Sequence, residues 1–112
     1  MTVELVTLRF LSGWMVRVPA DVVISRWVDR AACAGHPLGP EAWQDVTQSH
    51  QIGDDGAAAA GVCWSCPVRR QCLEWAVAVG ESGIWAATTE ADRRKIRRAR
   101  NLPEFVTDEG DV

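Results

Sequence analysis

Cys63, Cys66 and Cys72 fall within the ten residues CWSCPVRRQC, and a fourth cysteine, Cys33, lies thirty positions upstream. Four thiols so arranged admit four chemistries: a disulfide staple, a tetrahedral zinc site, an iron–sulfur cluster, or a sulfur-rich core that binds nothing. A zinc ribbon usually carries two short Cys-x₂-Cys knuckles. Here one pair has that spacing, an x₅ gap leads to Cys72, and Cys33 stands alone. This asymmetry leans toward iron and leaves zinc as the alternative. A thiol–disulfide oxidoreductase using Cys63-x-x-Cys66 is a weaker reading, because the βαβ context of thioredoxin-like proteins is missing. With no nucleophile–base pair and no phosphate-cradling loop in view, the chain is not read as an enzyme.

The other chemically suggestive stretch is RRKIRRAR, residues 93–100, with six positive charges and no acid. Residues 1–92 hold 6 Arg against 11 Asp and Glu, and residues 101–112 add four more acids, so a chain of net charge −3 concentrates its positive charge in one segment. Like charges at such density repel unless an anion is near, and nucleic-acid phosphate is the natural counterion. Arg93, Arg94, Lys95, Arg97, Arg98 and Arg100 are therefore candidate DNA contacts. The acidic tail from Glu104 is expected to fold back on this run and weaken non-specific binding.

These groups must be positioned by few elements, since 112 residues suggest one domain. Val6, Leu8 and Phe10 share one alternating phase and Trp14, Val16 and Val18 a later one, with Ser12-Gly13 between them. Residues 1–20 are thus an arm or a short hairpin. From Asp21 the period changes: Ile24, Trp27, Val28, Ala31 and Ala32 predict a helix that reaches Cys33. Pro40 opens a second helix through Glu41, Ala42, Trp43 and Val46. Residues 53–61, GDDGAAAAG, read as a loop with one helical turn. A third helix has Pro67 in its first turn, Cys66 at its N-cap and Gly80 just past its end, with Val68, Cys72, Trp75, Ala76 and Val79 on one face. Thr89 and Asp92 resemble a capping box opening a fourth helix, which carries the basic run. The expected architecture is all-α, a bundle of about four short helices. Its divisions are an arm or hairpin at 1–20, a cysteine domain at 21–87, a basic helix at 88–101 and an acidic tail at 102–112.

Six tryptophans occur with no tyrosine. Trp27 and Trp75 lie on apolar helix faces and are expected in the core, whereas Trp85, in a turn beside Gly83, suits a partner surface. Trp64 fits packing over the cysteines or plain exposure. His36 and His50 are expected at the surface. The N-terminus, MTVELVTLRF, does not read as a signal peptide. No apolar run approaches the roughly 18 residues of a membrane span, so the expected compartment is the cytoplasm, where structural disulfides are disfavoured.

The tryptophan before the first cysteine in WVDRAAC, the block CWSCPVRRQCLEWA, the segment GESGIW and the helix TTEADRRKIRR together resemble the WhiB-like family of actinobacterial and actinophage iron–sulfur transcription factors, over about residues 24–100. The resemblance implies that Cys33, Cys63, Cys66 and Cys72 ligate a [4Fe-4S] cluster that reacts with oxygen or nitric oxide. It implies a 1:1 complex with the C-terminal domain of the principal sigma factor, in which the Gly83-Ile84-Trp85 turn packs against sigma, with Trp43 as the counterpart of a family aromatic. It also associates the basic helix with DNA. Two departures stand out. The family turn usually continues with two glycines where this chain has Ala86-Ala87, and alanine resists the positive φ that glycine permits. AGHPLGPEAW also replaces an acidic-proline stretch that ends in paired aromatics.

Overall fold

The computed structural model describes residues 5–9, 15–24 and 26–102. The expected Ser12-Gly13 turn, Phe10, Trp14 and the acidic tail from Glu104 lie outside these residues. Two strands, β1 (Leu5–Arg9) and β2 (Met15–Pro19), precede four helices: α1 (Ala20–Ile24), α2 (Asp54–Trp64), α3 (Arg69–Val79) and α4 (Glu90–Ala99). Single 3₁₀ turns occupy Trp27–Arg30 and Pro40–Gln44. The fold is therefore not purely all-α, because the N-terminal segment forms an antiparallel two-stranded sheet.

The pairing Val6↔Val18 and Leu8↔Val16 places these four side chains on one face of the hairpin. Val16 and Val18 are buried, while Leu5, Thr7, Arg9, Met15 and Arg17 point to solvent. A two-stranded hairpin is marginal alone. This one gains its stability by sharing a core with Val22, Trp27, Val68 and Ala78. An Arg70–Asp21 ion pair joins α3 to α1 beside that contact.

Two expected elements differ from those observed. The helix predicted from Asp21 to Cys33 breaks after Ile24 and resumes only as a 3₁₀ turn. Its cause is Trp27: the indole is buried and donates Nε1–H to the Val22 carbonyl at 2.9 Å, replacing a backbone hydrogen bond. Conversely, GDDGAAAAG is helical and runs on through Cys63 as α2. Alanine is the best helix former, Asp54 and Asp55 meet the positive end of the helix dipole, and the Gly56 N–H donates to Asp45 at 2.9 Å. A Cβ at Gly56 would lie 2.6 Å from the Asp45 carbonyl oxygen, so glycine here permits close packing.

Smaller differences bear on the cysteines. The Pro40 turn ends at Gln44, before Val46, which pairs with Ile52. The N-cap of α3 is Val68, so Pro67 and Cys66 precede the helix. At its other end Gly80, with φ +78°, provides the left-handed C-cap. Thr89 and Asp92 form the expected capping box at the start of α4.

Candidate metal centre

Four segments deliver the cysteines. α2 carries Cys63 in its last turn, the α2–α3 turn holds Cys66, and the first turns of α3 present Cys72. Cys33 comes from the turns after the first 3₁₀ segment. All four line one cavity of about 680 Å³, which is also walled by Trp27, Trp43, Trp75 and Trp85. Cys63 is buried and Cys33 exposed, so the cavity has a dry side and a wet side.

Each sulfur has an N–H partner or neighbour. The Trp43 indole donates to Cys63 Sγ at 3.4 Å and the Ala32 amide to Cys66 Sγ at 3.4 Å. The Ala86 amide lies near enough to Cys72 to favour its thiolate, and the Cys33 backbone amide does the same for its own sulfur. Burial nevertheless pushes the Cys72 thiol up to about 12, and the other three cysteines push in the same direction against the opposing pull of the Ala86 amide. Cys33 is raised as well, by burial and then by Cys63. Cys33 and Cys72 thus resist becoming anions, and with Cys63 and Cys66 on the same cavity they form a donor set that a cationic core would satisfy. Sequence reasoning missed the N–H donors of Ala32 and Ala86, which are backbone groups without a side-chain signature.

Among the described residues no three His, Cys, Asp or Glu side chains converge on a point that could hold one metal ion. One observation bears on whether the four cysteines fit an iron–sulfur core. Arg69 also lines the cavity, and its Nε is buried with no hydrogen-bond partner. A buried donor without an acceptor is costly and calls for one. Cluster sulfides are acceptors of the appropriate kind.

Beside the cavity, the turn Gly83-Ile84-Trp85 docks on Trp43, so these four sequence-predicted residues lie together. The Ile84 amide donates to the Trp43 carbonyl at 2.7 Å. Gly83 has φ +84°, and a Cβ there would lie 2.7 Å from that same carbonyl oxygen. Trp85 is half-buried and donates its indole N–H to Ser82 O at 2.9 Å. Trp85 and Thr88 then exchange backbone hydrogen bonds of 3.0 and 2.9 Å around Ala86 and Ala87. Both alanines have positive φ, +53° and +63°, the signature of a type I′ turn. The conformation that glycine would favour is thus adopted by two alanines, and it aims the Ala86 amide at Cys72.

The remaining tryptophans and histidines separate by burial. Trp27 is buried, Trp75 packs against the core, and Trp64 is 66% exposed. His50 is exposed as expected, whereas His36 is half-buried and meets Trp43 edge-on, with ring centroids 5.9 Å apart.

The basic helix requires a correction. Arg93 and Arg97 are only 3% and 5% exposed. Arg93 spends its guanidinium on the carbonyls of Thr88, Glu81 and Gly83, at 2.7 to 2.8 Å, and on the Thr88 hydroxyl at 3.0 Å. Arg97 donates to the Val77 carbonyl at 2.6 Å. Neither can present its charge to a phosphate. Arg94, Lys95, Arg98 and Arg100 are exposed. Arg100 makes a two-point ion pair with Glu74 at 3.0 Å, and Arg94 lies 4.0 Å from Glu90. Acids outside the run thus supply part of the countercharge that the run itself lacks.

A small helical domain with a β-hairpin, built around four cysteines and ending in a basic helix, is the class this arrangement defines. Residues 27–96 match the family model described as "Transcription factor WhiB", and the chain belongs to that family. It is similar to the transcriptional regulator WhiB2 of Mycobacterium tuberculosis, with 38% identity over 74 residues, 65% of this chain and 75% of the relative. The transcriptional regulator WhiB of Streptomyces coelicolor is 36% identical over 74 residues, 65% of this chain and 77% of its own. WhiB1 of M. tuberculosis is 36% identical over 73 residues, 64% of this chain and 84% of its own. The hairpin precedes the matched segment. No described helix is long and apolar enough to cross a membrane.

Proposed function

We propose that the protein is a redox-responsive transcription regulator in which Cys33, Cys63, Cys66 and Cys72 hold a [4Fe-4S] cluster. The observation that carries this reading is the meeting of all four cysteines at one cavity of about 680 Å³. When bound, the cluster supplies one-electron redox chemistry and reactivity toward oxygen or nitric oxide. The protein's own contribution is to hold the sulfurs apart around a common centre, to direct N–H groups at them and to wall the centre with indoles that limit water.

In this reading the half-buried Trp85 and Trp43 form the surface that docks the C-terminal domain of the principal sigma factor, while Gly83 and Ile84, both buried, support it from beneath and cannot themselves touch the partner. The Ala86 amide ties this surface to Cys72, so loss of the centre would disturb both. Promoter DNA is met by the outward side of α4, through Arg94, Lys95 and Arg98, with Arg100 shared with Glu74. Arg93 and Arg97 have no part in that contact.

Purification under strict exclusion of oxygen, with iron, sulfide and zinc analysis, tests the reading. A brown protein with iron and sulfide in equal amount, about four of each per chain, is expected for a cluster held by four thiolates. Stoichiometric zinc in a colourless protein would replace it with the structural zinc reading. Cys72→Ser should abolish both colour and capture of the sigma domain; retained capture at normal affinity would refute the link between centre and surface.

A further inference from the structure

Arg69 and Arg70 are adjacent in the first turn of α3, yet they have different surroundings. Arg70 turns outward to Asp21. Arg69 turns toward the cysteine cavity, where its Nε is buried without an acceptor. Its guanidinium carbon lies 3.9 Å from the ring centroid of Trp64, within the range of a cation–π contact. Trp64 is itself 66% exposed. The guanidinium therefore has an aromatic plate on one side and the cavity of four sulfurs on another.

We propose that Arg69 is a dedicated hydrogen-bond donor to the cluster, held in place by Trp64, and that this pair raises the cluster's reduction potential. The inference rests on the cluster reading above. A cationic donor at a cluster sulfur favours whichever oxidation state carries more negative charge, and this is the reduced state. One electron from dithionite takes the core from 2+ to 1+, and the Nε–H bond strengthens as the sulfurs gain charge. Trp64 acts through Arg69: by occupying one face of the guanidinium it keeps the side chain from swinging into solvent.

The test is a dithionite titration of the anaerobically purified full chain, followed by visible absorbance, for wild type, Arg69→Met, Arg69→Lys, Trp64→Ala and Arg70→Met. Arg69→Met should lower the reduced-to-oxidised ratio about tenfold at fixed poise, equal to 59 mV for one electron. Arg69→Lys keeps the charge but not the Nε donor, and should fall between Met and wild type. Trp64→Ala should shift the same way by less. Arg70→Met removes an equal charge one residue away and should leave the midpoint near wild type. Iron and sulfide content and far-UV circular dichroism establish that each variant is folded and loaded; if Arg69→Met is not, Arg69→Lys decides. A midpoint for Arg69→Lys equal to wild type, or an Arg70→Met shift as large as that of Arg69→Met, overturns the proposal while the cluster reading stands. Wild-type protein without iron and sulfide overturns both.

Discussion

Replacing Ala87 by glycine should stabilise the protein, and replacing Ala86 should not. Both residues hold positive φ, +53° at Ala86 and +63° at Ala87. An L-residue in the left-handed region is disfavoured by about 1–2 kcal/mol, a cost glycine escapes. Glycine's extra freedom in the unfolded chain takes back about 0.4–1 kcal/mol. Ala87→Gly should therefore gain about 0.5–1 kcal/mol. Ala86 differs in being only 1% exposed, and deleting its methyl loses about 0.8 kcal/mol of buried surface. That loss cancels the gain. Thermal unfolding by far-UV circular dichroism, on anaerobic samples of matched iron content, should separate the variants by about 3–6 °C for a domain of this size. Both keep the amide that serves Cys72, so neither should lose iron. An Ala86→Gly protein as stable as Ala87→Gly, or an Ala87→Gly protein less stable than wild type, would refute the account of this turn.

Gly83→Ala should act in the opposite direction. Its positive φ and the 2.7 Å approach to the Trp43 carbonyl combine left-handed strain with overpacking, for a loss of about 2–4 kcal/mol, read as a lower urea midpoint and weaker capture of the sigma domain. Arg93→Gln should cost about 3 kcal/mol or more by stranding the carbonyls of Glu81, Gly83 and Thr88. It should leave the salt dependence of DNA binding unchanged when measured below the unfolding transition. Arg94→Gln should do the reverse, with stability within about 0.5 kcal/mol of wild type and a log–log salt slope shallower by about 0.9. Thr89→Ala removes the capping box and should cost about 0.5–2 kcal/mol, with faster amide exchange in the first turn of α4.

What was legible in the sequence depended on whether local chemistry decided the outcome. The capping box at Thr89 and the C-cap at Gly80 need only neighbouring residues, and both formed. The hairpin was readable as alternation in Val6 and Leu8 and in Val16 and Val18, but its place against α3 depended on Val68 and Ala78, fifty or more positions away. The break after Ile24 was invisible because it originates in an indole reaching back to Val22, a choice forced by the burial of Trp27. GDDGAAAAG looked structureless for lack of large side chains. Its small residues are what let α2 approach Asp45 and deliver Cys63.

The basic run shows how a charge pattern misleads when read without its helix. Arg93 and Arg97 are four residues apart and flank Ile96, the only large apolar residue in the run and itself half-buried. That spacing marks a single helix face, and the face turns inward. α4 lacks the apolar stripe that usually anchors a terminal helix, so it attaches through guanidinium groups donating to the ends of neighbouring segments: Val77 in α3 and the Glu81–Gly83 turn. Arginine suits this role because its stem packs like a hydrophobe while its planar fork satisfies several carbonyls at once. Two of the six basic residues that gave the apparent nucleic-acid signal are therefore the attachment of α4, and one of them, Arg93, ties that helix to the same turn that carries Trp85.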